Sequence, residues 1–434
     1  MHNKIYGVFM GLMALMPLTL TAQHDNSLNA FSPFTFYGLG DILPVGTAST
    51  QSMGGVGVAY WTPYEVNLVN PAAYSQIPRQ SGVLSMGASG KGVQLSTNQA
   101  KTFENTFNLN NFGFMLPLGR GVGFALSLNP YSGVGYRSLI EETNTDIMTD
   151  VGSVIYNYTG EGGVTRAKVG IGAQLFKGFS LGADLIAYMG NISRYSYQTI
   201  TAVDGNSYRA ISEANREEVA DISFDVGFQY QIWRTTRQVL TVGATYQPDA
   251  TLNNRHIRQV YDKTTGDSIF YAARREEAIL PQKVATGVYY QTQKFGAALD
   301  YSYQDWSNAY RFAAEDRVTM KESQALNFGM HYTPNRTDIR RALNRWTYRA
   351  GFRYADLNIM KDGVAMNEMA LTFGVGIPLR SDNYSEISIG LEVGQRGKTG
   401  FTPSGLPMVK EQFFKLSIGV SIFDTNWFVK MKYY

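Results

Sequence analysis

The sequence predicts an all-β protein: a fourteen-stranded antiparallel transmembrane β-barrel with an N-terminal plug in its lumen. Three observations predict it. Apolar residues recur at every second position from about residue 81 to 423. The positions between them carry Gly, Ser, Thr, Asn and Gln with isolated charges. The composition is aromatic (13%, including 28 Tyr) and only 17% charged, against roughly 25% in ordinary globular proteins.

Val122-Phe124-Leu126-Leu128, Ile222-Phe224-Val226-Phe228 and Leu416-Ile418-Val420-Ile422 show the alternation. A repeat of 180° per residue gives strands with one apolar face. A soluble sandwich would bury that face on a second sheet and charge the other. Here the other face is small and polar. Its charged members are Lys168, Asp184, Asp221, Asp225, Arg349, Arg353, Glu386, Glu392 and Lys415, read as neutralising pairs in the lumen. A barrel in lipid turns apolar side chains outward and polar ones inward. Its sheet must close, because hydrocarbon offers backbone groups no partner. Tyr131, Tyr136, Tyr188, Tyr195, Tyr197, Trp306, Tyr332, Trp346 and Tyr354 suit interfacial girdles.

Residues 1–22 read as a signal peptide. His2 and Lys4 precede an apolar run from Ile5 to Leu20, and Leu20-Thr21-Ala22 offers a cut after Ala22. Residues 23–80 lack sustained alternation and are rich in Gly and Pro. They precede the first strand and can fold back into the bore, which at fourteen strands is too wide for wall side chains to fill. Phe31, Phe34, Phe36 and Trp61 argue against disorder there. The barrel follows over 81–423. Its strands are expected at about 82–96, 105–118, 121–137, 151–177, 179–198, 217–233, 238–260, 270–291, 294–312, 321–333, 346–357, 367–379, 384–396 and 409–423. Residues 424–434 remain as a periplasmic tail.

Short connections alternate with longer ones at 138–150, 199–216, 261–269, 313–320, 358–366 and 397–408. Short periplasmic turns and long outer loops mark an outer-membrane barrel, placed in the cell outer membrane of a Gram-negative organism. Pro334–Arg345 breaks the rule as a long connection on the short-turn side. It carries Arg336, Arg340 and Arg341, with Ile339 and Leu343 four apart. It reads either as a short solvated helix or as a docking surface for a periplasmic partner or acidic lipid headgroups. Trp427 and Phe428 in the tail are a second partner-binding candidate. In the third strand Pro130 removes a ladder hydrogen bond, and Gly133 and Gly135 follow, so a bulge or gap is expected there.

Several chemistries are excluded. The chain has no Cys and four His, and its net charge is +3. That removes disulfides, thiolate zinc sites and a cysteine nucleophile, and leaves no basic footprint for nucleic acid. No catalytic, metal or cofactor constellation is found, so the chain does not read as an enzyme. His331 reads as a hydrogen-bonded lumen residue, and Gly160-Glu161-Gly162-Gly163 as a strand bulge.

Met53-Gly54-Gly55-Val56-Gly57-Val58-Ala59 and Asn67-Leu68-Val69-Asn70-Pro71-Ala72 resemble the glycine-rich stretch and Asn-Pro-Ala motif of the FadL-type outer-membrane transport family. Ser32-Pro33-Phe34-Thr35-Phe36-Tyr37-Gly38-Leu39-Gly40-Asp41 is similar to the start of its Bacteroidetes members. So are Asn129-Pro130-Tyr131-Ser132-Gly133-Val134-Gly135-Tyr136 and Leu280-Pro281-Gln282. The resemblance covers nearly the whole mature chain. It implies a hatch built around Gly54, Gly55, Gly57, Asn70, Pro71 and Ala72. It also implies passage of small hydrophobic molecules with a sideways exit at the third strand, near Pro130. Its Bacteroidetes relatives also include non-transporting subunits of secretion and protein-assembly machines. The partners expected are therefore outer-membrane lipid, a small hydrophobic ligand, and periplasmic or outer-membrane proteins.

Overall fold

The computed structural model describes residues 30–425 apart from 99, 203–209, 263–264, 308, 310–317, 380–383 and 406. The expected leader with its cut after Ala22, and tail residues Trp427 and Phe428, lie outside the described residues.

One antiparallel sheet holds every described strand. β1 (Asp41–Ile42) lies in the plug. The wall is β2 (Gly82–Ser96), β3 (Lys101–Gly119), β4 (Val122–Glu141), β5 (Gly152–Phe176), β6 (Phe179–Ala202), β7 (Ile211–Arg234), β8 (Gln238–Gln247), β9 (Ala250–Asp262), β10 (Ser268–Leu280), β11 (Lys283–Thr292), β12 (Phe295–Asp305), β13 (Val318–Met320), β14 (Glu322–Tyr332), β15 (Thr347–Lys361), β16 (Val364–Pro378), β17 (Glu386–Phe401) and β18 (Pro407–Asp424). β18 pairs back onto β2 from Lys410↔Ser96 to Asp424↔Gly82, so the sheet closes. β8 with β9, β10 with β11, and β13 with β14 each make one crossing. The barrel therefore has fourteen crossings. The first two breaks fall at Pro248 and Pro281, residues with no N–H for the ladder.

The alternation decides which face meets lipid. Ile222 and Phe224 are 64% and 52% exposed, whereas Ser223 and Asp225 are each 6% exposed. The same holds around the wall for Leu185, Leu299, Leu371 and Leu416, all exposed. An uncovered apolar belt of this extent has no place in water. Among the described residues no helix is long and apolar enough to cross a membrane; the strands cross it.

Several strands run further than the sequence pattern suggests, β6 to Ala202, β7 from Ile211 and β17 to Phe401, while β5 keeps within its expected range. β5 has 25 residues, about 80 Å at roughly 3.3 Å per residue, where about 9–11 residues suffice to span lipid. β5, β6, β7, β9 and β10 therefore stand beyond the bilayer as a tall wall. On the outward face an ion pair marks the change of medium: Arg255 to Glu218 at 3.5 Å. The long connection expected at 199–216 shrinks accordingly. The one expected at 358–366 is a tight hairpin, with Asp362 and Gly363 both at positive φ (48° and 74°), the pair that two-residue turns require.

Four of the residues expected in the girdle are not there. Tyr131, Tyr136, Tyr188 and Trp306 are 6%, 5%, 1% and 2% exposed and join Leu39, Val164 and Ile186 in a core inside the barrel. Strand parity turns Tyr188 inward. Tyr131 and Tyr136 are buried because β4 itself leaves the wall.

Candidate functional site: a tethered plug beside a gap in the wall

β4 pairs with β5 along nearly its whole length, from Val122↔Ala173 to Glu141↔Ile155. Its pairing with β3 runs only from Gly119↔Val122 to Phe112↔Leu128. Beyond Leu128 the two strands part. The register slips between Pro130 and Ser132, and every residue from Tyr131 to Tyr136 is buried. Six consecutive buried residues cannot come from a strand in a two-faced wall; this segment has turned into the lumen. The bulge is therefore on β4 at Tyr131, and not at Gly160–Gly163. The latter keep continuous pairing with β6 and instead let the inward segment lie close.

The plug takes up the edge that β3 leaves. Asp41 and Ile42 pair with Gly133 and Ser132. The Leu43 N–H donates to Tyr131 O at 2.9 Å, and the Ser32 N–H to Gly135 O at 2.8 Å. Gly135 N–H donates to Thr35 Oγ1 at 3.1 Å. A Cβ on Gly135 would collide with the carbonyl of Ala30, which is why glycine stands there.

The plug's motif residues each perform a local task. Gly54 has φ 70°, its N–H donates to Thr372 Oγ1 at 2.9 Å, and a Cβ would meet the carbonyls of Phe328 and Phe352. Gly55 N–H bonds to Thr50 O at 2.9 Å. The N–H groups of Gly57 and Val58 converge on Asp300 Oδ2 at 2.6 and 2.9 Å. Asn70 caps the short helix Pro71–Gln76, its oxygen accepting from Ala72 N at 3.0 Å. Its amide donates to Val58 O and to Phe228 O on the wall, at 2.7 and 3.0 Å. Pro71 fits the first helical position, and Ala72 is fully buried.

Buried charge ties plug to wall. Arg353 donates to Glu368 and to Glu392 at 2.6 and 2.5 Å. Arg396 bonds Glu368 and reaches Asp41 of the plug at 2.8 Å. Ser32 donates to Glu411 at 2.7 Å, and Glu411 holds Lys91 at 2.9 Å. Opposite, Lys168 lies 3.0 Å from Asp184 and 2.5 Å from Asp225, and Tyr74 of the plug donates to Asp184. Arg349 pairs with Glu386 at 2.6 Å. Most of the charged lumen row thus stands in ion pairs, whereas Asp221 accepts from Asn253 instead. His331 also has its hydrogen bond, to the Tyr289 hydroxyl at 2.9 Å. Within the plug, burial pushes the Glu65 carboxyl above its ordinary range, opposed by a hydrogen bond from Thr47.

Two spaces remain. A polar chamber of about 220 Å³ lies among Lys168, Asp225, Asp300, Arg353 and Arg396. A largely apolar cavity of about 910 Å³ lies at the mouth of the barrel beside the outer end of the gap, lined by Phe34 and Phe36 of the plug, Leu95 of β2, Leu139 of β4, Ile359 of β15 and Met408 of β18. Among the described residues no cluster of three or more His, Asp or Glu side chains is placed to hold a metal.

The sequence reading located Gly133 and Gly135 but missed their plug partners Ser32, Thr35 and Asp41. It also missed Glu368, Arg396 and Glu411 in the charge network. Arg396 and Glu411 stand four residues from Glu392 and Lys415 on the same strand face, a parity signal that finds them. Of the partner candidates, Arg336 sits 4.4 Å over the Tyr384 ring. The backbone N–H groups of Arg340 and Arg341 bond Asp338.

Fold and site together define a closed fourteen-stranded outer-membrane β-barrel with an N-terminal segment folded inside it. It is similar to the toluene transporter TbuX of Ralstonia pickettii (14% identity, TM-score 0.55, 88% of this chain and 98% of that one). It is similar also to a Pseudomonas aeruginosa FadL homologue (14%, 0.57, 89% and 99%) and to the toluene transporter TodX of P. putida (15%, 0.54, 88% and 99%). At that identity the likeness is one of fold. Among curated proteins no relative matches the chain. The family model BamG matches residues 1–434, and the chain belongs to the BamG family.

Proposed function

We propose that this protein is a non-transporting barrel subunit of an outer-membrane protein-assembly or secretion complex, of the Bacteroidetes type, exported by a leader cut near Ala22. One observation carries the reading: the plug is bonded to β2, β4, β6, β7, β12, β16, β17 and β18. Displacing it would take Asp41 from buried Arg396, a loss of about 3–5 kcal/mol for a broken buried pair, and would leave Asp300, Asp184 and Glu411 without the plug donors that bond them. A hatch built so is a core, and the surfaces left for work are outside the bore. The family name BamG is in keeping with this. The test is affinity purification of the full chain from its own outer membrane in mild detergent. A large complex of fixed stoichiometry supports the reading; a monodisperse lone barrel contradicts it.

A second reading rests on a separate observation, the largely apolar cavity beside the outer end of the β3–β4 gap. A lipophile held there would leave sideways into lipid past Pro130, avoiding water. Toluene or fatty-acid binding by the purified barrel, weakened in Pro130→Ala, would favour it. Background binding in both proteins would remove it.

A further inference from the structure

The turn between β14 and β15 is a held shape. Asp338 Oδ1 accepts the N–H groups of Arg340 and Arg341 at 2.8 and 2.9 Å. The Asn344 side chain donates to Asp338 Oδ2 at 2.5 Å, and Asn335 N–H donates to Asn344 O at 2.8 Å. These bonds project two apolar side chains outward: Ile339 is 91% exposed and Leu343 59%. Arg340 and Arg341 are exposed beside them.

The position of the turn is fixed by Tyr348. That residue opens the lipid-facing row of β15, and its hydroxyl donates to Leu343 O at 3.1 Å. Tyr332 closes the same row on β14. The Leu343 end of the turn therefore folds over the outer rim of the wall, while Arg336 packs inward on Tyr384. Ile339 and Leu343 extend the apolar belt to headgroup depth, with two guanidinium groups at that level. Arginine matches phosphate oxygens two at a time, and an aromatic at the rim belongs to the same interface.

We propose that this turn binds the headgroup of an anionic phospholipid in the leaflet at the end of the barrel where β2 begins and β18 ends, marked by the Gly82↔Asp424 pair. Arg340 and Arg341 take the phosphate, and Ile339 and Leu343 lie along the first acyl carbons. The occupant follows from continuity: the turn prolongs a surface that lipid already covers, and its charge is opposite to that of an acidic headgroup.

The test uses the full chain in dodecyl maltoside, titrated with dihexanoyl phosphatidylglycerol or dihexanoyl phosphatidylcholine and read by native mass spectrometry. The glycerol lipid should bind at least about tenfold tighter, given roughly fivefold per arginine near a charged surface. R340Q/R341Q should bring the two lipids together, and I339S/L343S should weaken both. Equal binding in the wild type, or a preference that survives R340Q/R341Q, overturns the proposal. Binding of an acidic peptide at these residues with no lipid preference would also overturn it, and would make the turn a protein contact.

Discussion

Strand β4 has two seams, and they are built differently. The seam with β5 is a ladder that runs from Val122 to Glu141 with a single bulge at Tyr131. The seam with β3 stops at Leu128, and from there the edge of β4 is taken up by the plug. One seam is sealed by main chain alone. The other is sealed by a segment nearly a hundred residues earlier in the chain, which is itself held by Asp41, Ser32 and Thr35. A wall strand can therefore leave its barrel without exposing its backbone to lipid, provided something inside accepts its hydrogen bonds. The chain meets that condition with β1, and it ties β1 down with buried charge.

Breaking the tie should loosen one seam and spare the other. Arg396→Ala leaves Asp41 without its cation and Glu368 with Arg353 alone, a loss of about 3–5 kcal/mol. Thermal unfolding in detergent should show it. Hydrogen exchange should quicken at 41–43 and 131–135 before it does at 155–165. Equal acceleration at both seams would mean that the plug edge and the β5 ladder are one cooperative unit. A smaller effect is expected from Gly135→Ala, whose methyl meets the Ala30 carbonyl. Overpacking of this kind costs about 1–3 kcal/mol, and limited proteolysis should then cut within 30–45 first.

Phe36→Ala removes a ring that packs on Tyr136 with centroids 4.8 Å apart. An aromatic pair contributes about 0.5–1.5 kcal/mol beyond burial, so a modest fall in melting temperature is expected, with the β5 seam unchanged. The fourth prediction concerns pH. Glu65 binds its proton more tightly folded than unfolded, so the folded state holds more protons as pH rises past 4.5. Its contribution is fully present below that value and is lost as pH rises through the raised folded value. Glu65→Gln should flatten this decline, with stabilities converging at low pH and the variant ahead at pH 8. A parallel pH profile would show that Glu65 is already ionised in the fold.

Much of this was legible in the sequence. Period-two rows such as Ile222 to Ile232 gave the wall, its lipid face and the fourteen crossings, because each strand sits between lipid and polar lumen. Pro130 with Gly133 and Gly135 gave the place where the wall fails. The partner that covers the failure was not legible. Asp41-Ile42 is too short to show alternation, and its pairing depends on a contact that spans nearly a hundred residues. Tyr131 and Tyr136 read as girdle residues because parity assumes a strand that stays in the wall. Strand ends were also underestimated. In β7, Glu213, Arg216 and Glu217 interrupt the apolar rhythm, so a strand that has merely left the membrane looks like a loop.

The chain has no cysteine of its own, which allows a direct test of the plug-sealed seam. Ile42 and Ser132 are facing partners, and facing residues of an antiparallel pair lie within disulfide reach. In the double variant I42C/S132C, expressed in membranes, the account predicts a spontaneous intramolecular disulfide and two thiols closed to maleimide, with the barrel's melting unchanged. Two thiols that stay reduced and label freely would contradict it, and would place the plug away from the edge of β4.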